Sequence, residues 1–97
     1  MGWPDLARER AAGDVHVLDV RRDSEWKGGH LNGAQHIPLH QLADRLDEVP
    51  DSGVWVHCAS GYRASIAASM LDSAGKKITA ISGDFAEAEQ AGLTIRT

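Results

Sequence analysis

The chain has 97 residues, 42% of them apolar and 25% charged, with a formal charge of -4 at pH 7. That balance fits one folded domain over residues 1–97, burying roughly 60–65% of its unfolded surface, and excludes a disordered or fibrous chain. The acidic charge argues against nucleic acid or an anionic membrane as the main partner, no apolar run is long enough to span a bilayer, and the opening residues show no leader pattern.

Trp3-Pro4-Asp5 leads into a short helix over Leu6–Ala12, which Gly13 can end. Val15-His16-Val17-Leu18-Asp19-Val20 is a compact β-branched run and reads as a strand. Asp23-Ser24-Glu25-Trp26 reads as one helical turn stopped by Gly28-Gly29, and Ala34–Pro38 reads as extended because Pro38 biases Ile37 away from helix. Leu39, Leu42, Ala43, Leu46 and Val49 fall at helical spacing, closed by Pro50. Val54-Trp55-Val56-His57 is the second clear strand. After it, Ile66, Ala67, Met70, Leu71 and Ala74 mark a helix with Gly75 at its C-terminal cap. Ile78–Ile81 is a third strand, Asp84–Ala91 a last helix, and Leu93–Ile95 an extended tail. Strands alternating with helices predict an α/β fold, a small parallel sheet with helices on both faces.

The segment Cys58-Ala59-Ser60-Gly61-Tyr62-Arg63-Ala64-Ser65 joins the end of a buried strand to the start of a helix. Ligands bind at this edge of parallel sheets, where loops and helix N-termini converge. Small residues and Gly61 let the backbone curl, turning N–H groups inward as an anion-binding nest, and the helix adds the positive end of its dipole. Such a nest stabilises a thiolate, and Arg63 adds a permanent cation with a fork suited to oxyanions. A lone cysteine is ordinarily a small buried hydrophobe. A structural cysteine does not need glycine and arginine to close the loop behind it, so Cys58 reads as a reactive thiol. One cysteine makes no internal disulfide and points to a reducing, cytoplasmic setting.

In these residues the chain resembles the rhodanese family of sulfurtransferases. Asp19-Val20-Arg21 stands where the family has Asp-Val-Arg, and Glu25-Trp26 where it has Glu followed by an aromatic residue. Gly29–Pro38 is similar to its Gly-His-Ile-x-Gly-Ala-x-x-Ile-Pro segment, and Cys58–Ser65 to its Cys-x-x-Gly-x-Arg loop. The resemblance implies that Cys58 attacks the outer sulfur of thiosulfate or a persulfide donor and carries it as a persulfide. A thiol or cyanide acceptor then removes that sulfur, giving ping-pong kinetics. It implies also that the backbone of Ala59, Ser60, Gly61, Tyr62 and Arg63 cradles the substrate, with Arg63 holding the donor or locking the loop. No cofactor is implied. Cys58 to Arg63 matches the family's six-residue loop, whereas the related dual-specificity phosphatases use one residue more for the larger phosphate. One departure lies at Ser82–Ala88, where the family's Ala-Trp pair is missing and Phe85 is expected to take over its packing. The chain also resembles the rhodanese domains fused behind metallo-β-lactamase-fold persulfide dioxygenases. It therefore reads either as a free-standing domain or as the C-terminal domain of such a fusion.

The remaining polar residues invite blander readings. His16, His30, His36, His40 and His57 are scattered over different elements and lack metal-ligand spacing, so no metal is expected. His57 neighbours Cys58 but should face the other side of the sheet, making it a poor base. Asp19 and Arg21 suggest an ion-pair network fixing loops, with Glu25 as a third member; the other reading puts Arg21 at the pocket mouth, binding anionic donors. Tyr62 is either a border of the acceptor's path or a plain surface residue. Two other function classes compete: a cysteine-based phosphatase or arsenate reductase using the same nest, and a non-catalytic module of this fold. A domain handing sulfur to a fused or docked partner enzyme lies between them.

Overall fold

The computed structural model describes residues 1–97. Its elements in chain order are α1 (Trp3–Ala12), β1 (His16–Asp19), α2 (Asp23–Lys27), β2 (His30–Leu31), β3 (Gln35–His36), α3 (Leu39–Leu42), a 3-10 turn (Leu46–Glu48), β4 (Val54–His57), α4 (Tyr62–Ser73), β5 (Ile78–Ala80), α5 (Glu87–Gln90) and β6 (Ile95–Arg96). β3, β1, β4 and β5 form a parallel sheet in that order, with Leu18 opposite Val56 in the β1–β4 register.

Period-two alternation along β1 and β4 divides the core. Leu18, Val20, Val54, Val56 and Cys58 face Leu42 and the Ala64, Ala67, Leu71 stripe of α4. Val17 and Trp55 face the other way, onto Trp3 and Leu6 of α1, Ala88 of α5 and Leu31 of β2. Helices therefore cover both faces, as the alternation of elements predicts. α4 ends in a Schellman cap: Gly75, at φ 83°, donates to Asp72 O and Lys76 donates to Leu71 O, both at 3.0 Å.

β1 and β5 are each shorter than the expected Val15–Val20 and Ile78–Ile81 runs, and the structure departs from the sequence reading in four larger features. α1 begins a turn earlier, at Trp3, because the Asp5 carboxylate accepts the Gly2 N–H at 2.8 Å and caps the first turn. The helix expected from Leu39 to Val49 divides into α3 and the 3-10 turn. Asp44 and Asp47 are weak helix formers there, and the Asp44, Arg45, Glu48 and Val49 N–H groups all bond three residues back. α5 starts at Glu87, after a turn in which the Glu87 carboxylate accepts the Asp84 N–H. The extended tail pairs antiparallel with β2, His30 opposite Arg96 and Leu31 opposite Ile95, a second two-stranded sheet.

Candidate active site

β1 and β4 end side by side, Asp19 opposite His57, so the segments leaving both strands meet at one sheet edge. Cys58 follows directly. Its Sγ accepts hydrogen bonds from the Gly61 N–H at 3.0 Å and the Ala64 N–H at 3.3 Å. The turn that aims these donors needs φ 101° at Gly61, the cap of α4, a conformation that side chains other than glycine's resist. An added Cβ there would meet Ser82 Cα no closer than 3.5 Å, so backbone strain and not collision restricts the position. The Ala59, Ser60, Tyr62 and Arg63 N–H groups have no partner within the chain. The loop therefore keeps donors available to an anion beyond the two that hold sulfur. Ala59 O accepts the Phe85 N–H at 2.8 Å, tying the loop to the segment before α5.

Arg63 closes the loop by reaching across to α2. Its two terminal nitrogens donate to the two Glu25 carboxylate oxygens at 2.7 and 2.9 Å, the parallel-fork geometry. The Arg63 hydrogen bonds, helped by the Arg22 N–H, pull the Glu25 carboxyl down to about 2 against the burial that opposes it. Glu25 is thus a site residue, and its role is to hold Arg63. Residue type and spacing did not pair it with Arg63; the Glu-aromatic motif was the available signal.

Arg21 is placed differently from the reading that put it in contact with substrate. It is buried at 5% exposure, and its Nε and Nη2 donate to the Asp19 carboxylate at 2.9 to 3.1 Å. Nη2 also donates to Gly29 O at 2.7 Å, and the guanidinium lies 3.9 Å above the Phe85 ring. Buried and held in this way, Arg21 is a loop-fixing residue and not part of a pocket mouth. The expected network of Asp19 and Arg21 exists, but Glu25 belongs to Arg63 instead. Phe85 does supply packing at the departure from the family pattern, stacking on His57 at 5.4 Å and meeting Trp3 edge-on at 5.8 Å.

His57 faces away from Cys58 Sγ, into the cluster of Trp3 and Phe85. Burial pushes its pKa down to about 4, so the imidazole is neutral at physiological pH. Its Nε2 has no hydrogen-bond partner and lies 3.7 Å from Asp19 Oδ2. His30 and His36 sandwich the Trp26 ring at 3.7 and 4.6 Å, while bonding Trp26 O and Arg21 O respectively. Tyr62 projects from the loop at 74% exposure. Sequence reasoning missed Ala64, whose N–H reaches Sγ because it is one of the unpaired donors in the first turn of α4, just beyond the expected cradle.

A family model described as "Rhodanese-like domain" matches residues 3–91. The chain is 35% identical over 94 residues to an HTH-type transcriptional regulator of Mycobacterium tuberculosis, covering 94% of this chain and 42% of the regulator. It thus spans less than half the length of that relative. It is 33% identical over 78 residues to thiosulfate sulfurtransferase GlpE of Pseudomonas entomophila, covering 78% of this chain and 71% of that protein. A rhodanese-related protein from Thermoplasma volcanium superposes with a TM-score of 0.87 at 25% identity, covering 99% of this chain and 95% of that one.

Proposed function

The chain belongs to the rhodanese family, and from that premise we propose that it is a sulfurtransferase whose Cys58 carries sulfur as a persulfide. The observation that carries this reading is the pair of backbone N–H groups on Cys58 Sγ, in a loop whose other donors are unpaired. Such an array favours an anionic sulfur over a neutral one.

In the loading step the Cys58 thiolate attacks the outer sulfur of thiosulfate. A bond forms between Sγ and that sulfur, the bond to the sulfonate sulfur breaks, and sulfite leaves with the electron pair. The persulfide keeps one negative charge, formally on its outer sulfur, and the unpaired N–H groups of the loop are the donors left to share it while Gly61 and Ala64 hold Sγ. A thiol or cyanide then takes the outer sulfur and regenerates the thiolate, so sulfur loading and unloading are separate half-reactions. Arg63, held by Glu25, fixes the far end of the loop.

In this reading residues 1–97 work as one rhodanese domain, in the cytoplasm, where a lone thiol stays reduced. The regulator that shares this sequence over less than half its length supports a domain able to serve a fused or docked partner. No helix is long and apolar enough to cross a membrane.

The test is the intact mass of reduced protein after thiosulfate, beside Cys58→Ser. The expected result is a gain of one sulfur atom, lost on adding cyanide or a thiol and absent from the variant. Loading that persists in Cys58→Ser would place the chemistry elsewhere. Hydrolysis of an aryl phosphate with no sulfur gain would favour the phosphatase class instead.

A further inference from the structure

A cavity of about 230 Å3 lies beside the loop, walled by Val20, Arg22, Leu39, His40 and Arg63. It belongs to the same sheet edge. The Val20 N–H donates to His57 O and the Leu39 N–H to Val20 O, both at 3.1 Å, tying its wall to the residue that precedes Cys58. The two guanidinium groups on this wall are not equivalent. Arg63 has both terminal nitrogens on Glu25, so that pair carries no net charge. Arg22 is exposed, and its side chain makes no hydrogen bond or ion pair within the chain; only its backbone is engaged, its N–H by the Glu25 carboxylate and its carbonyl by the Trp26 N–H. No carboxylate lines the wall, which leaves the Arg22 charge uncompensated there. Val20 and Leu39 add an apolar surface that a small inorganic anion would leave unused. The volume holds several times the roughly 30 Å3 that one water occupies in the liquid, enough for a short carbon stem.

We infer that this cavity selects the sulfur acceptor, that the acceptor is an organic thiol bearing a carboxylate, and that Arg22 is the specificity-determining residue. The inference rests on the sulfurtransferase reading above. The acceptor's stem packs on Val20 and Leu39, and its carboxylate takes the open fork of Arg22. His40, at the rim, adds a polar edge. The acceptor sulfur gives up its proton to solvent and attacks the outer sulfur of the Cys58 persulfide. A new bond joins those two sulfurs. The bond from the outer sulfur to Sγ breaks, its electron pair returns to Sγ as thiolate, and an organic persulfide leaves. Oxidation and reduction balance within the sulfur exchanged, so no other reactant enters.

The test measures discharge of the thiosulfate-loaded protein by mercaptopropionate and by its neutral amide, in the wild type, Arg22→Gln and Arg22→Lys. The ratio of the two rates, compared between proteins, cancels the difference in intrinsic thiol reactivity. Arg22→Gln is expected to lower the carboxylate-to-amide ratio roughly tenfold while leaving the amide rate unchanged, the scale of one lost charge-assisted contact. Arg22→Lys should recover part of the ratio. An unchanged ratio in Arg22→Gln overturns the assignment while the sulfurtransferase reading survives. Equal loss with both thiols also overturns it, because Arg22 would then support the loop and not the carboxylate. Failure of the wild type to load sulfur overturns both together.

Discussion

Two arginine–carboxylate clamps stand at the carboxyl edge of the sheet, alike in their forked geometry and different in their surroundings. The Arg21–Asp19 clamp joins residues two apart in sequence, and its side chains are 6% and 0% exposed. The Arg63–Glu25 clamp joins residues 38 apart, and its side chains are 25% and 30% exposed. Burial makes the first a condition of folding: either charge, left alone in that setting, is strongly disfavoured. Partial exposure makes the second weak in stability and useful in position, since water screens its attraction while the fork still sets where Arg63 sits. The same chemistry does two jobs, and depth decides which.

The largest expected effect comes from breaking the buried clamp. Asp19→Ala leaves the Arg21 guanidinium with only Gly29 O and the Phe85 face. A loss of about 3–5 kcal/mol is expected, the scale for orphaning a buried charge. Small domains have only about 5–15 kcal/mol in all, so the urea midpoint should fall sharply or the variant should be unfolded. A change under about 1 kcal/mol would mean that water reaches Arg21 and that the two clamps are equivalent.

The clamps should also answer to different ranges of pH. His57 packs beside the buried one, its pKa lowered from 6.5 to about 4 chiefly by burial. The unfolded chain therefore binds a proton that the folded chain refuses. Its contribution is complete above about 6.5 and is lost as pH falls toward about 4. Urea unfolding across that window should show stability rising with pH, and His57→Asn should flatten the slope whatever it does to the absolute value. A slope unchanged in the variant would assign the proton uptake elsewhere.

The difference between the clamps also explains which features are legible in the sequence alone. β1 and β4 announce themselves because Val17-Leu18 and Val54-Trp55-Val56 are local runs, and the Cys58 loop because its turn and its arginine lie within a few residues. Asp19 and Arg21 could be paired for the same reason, being neighbours along the chain. Glu25 and Arg63 could not, since their contact depends on how α2 and α4 are brought together. The β2–β6 sheet was hidden likewise: each strand is two residues long, and its partner is more than sixty positions away. The cavity beside the loop draws its wall from the segment between β1 and α2, the start of α3 and the start of α4. No single stretch of sequence advertises it.

Glu25→Gln is the smallest change in stability and the sharpest test of the comparison. It removes one charge from a partly exposed pair, so the expected loss is under about 1 kcal/mol near neutral pH. Because the folded-state pKa is depressed from 4.5 to about 2, the advantage of the wild type is present above about 4.5 and is lost as pH falls toward about 2. Function should respond more than stability does. Without the carboxylate, Arg63 no longer fixes the end of the loop, and sulfur loading from thiosulfate is expected to slow about tenfold, as when a positioning contact is lost. Loading that accelerates would mean that Glu25 holds Arg63 back from the donor, making the second clamp a restraint on binding. Loading that falls only in proportion to lost folded protein would make it a minor structural pair. The predicted outcome separates from both, because it pairs a small shift in the urea midpoint with a large fall in rate.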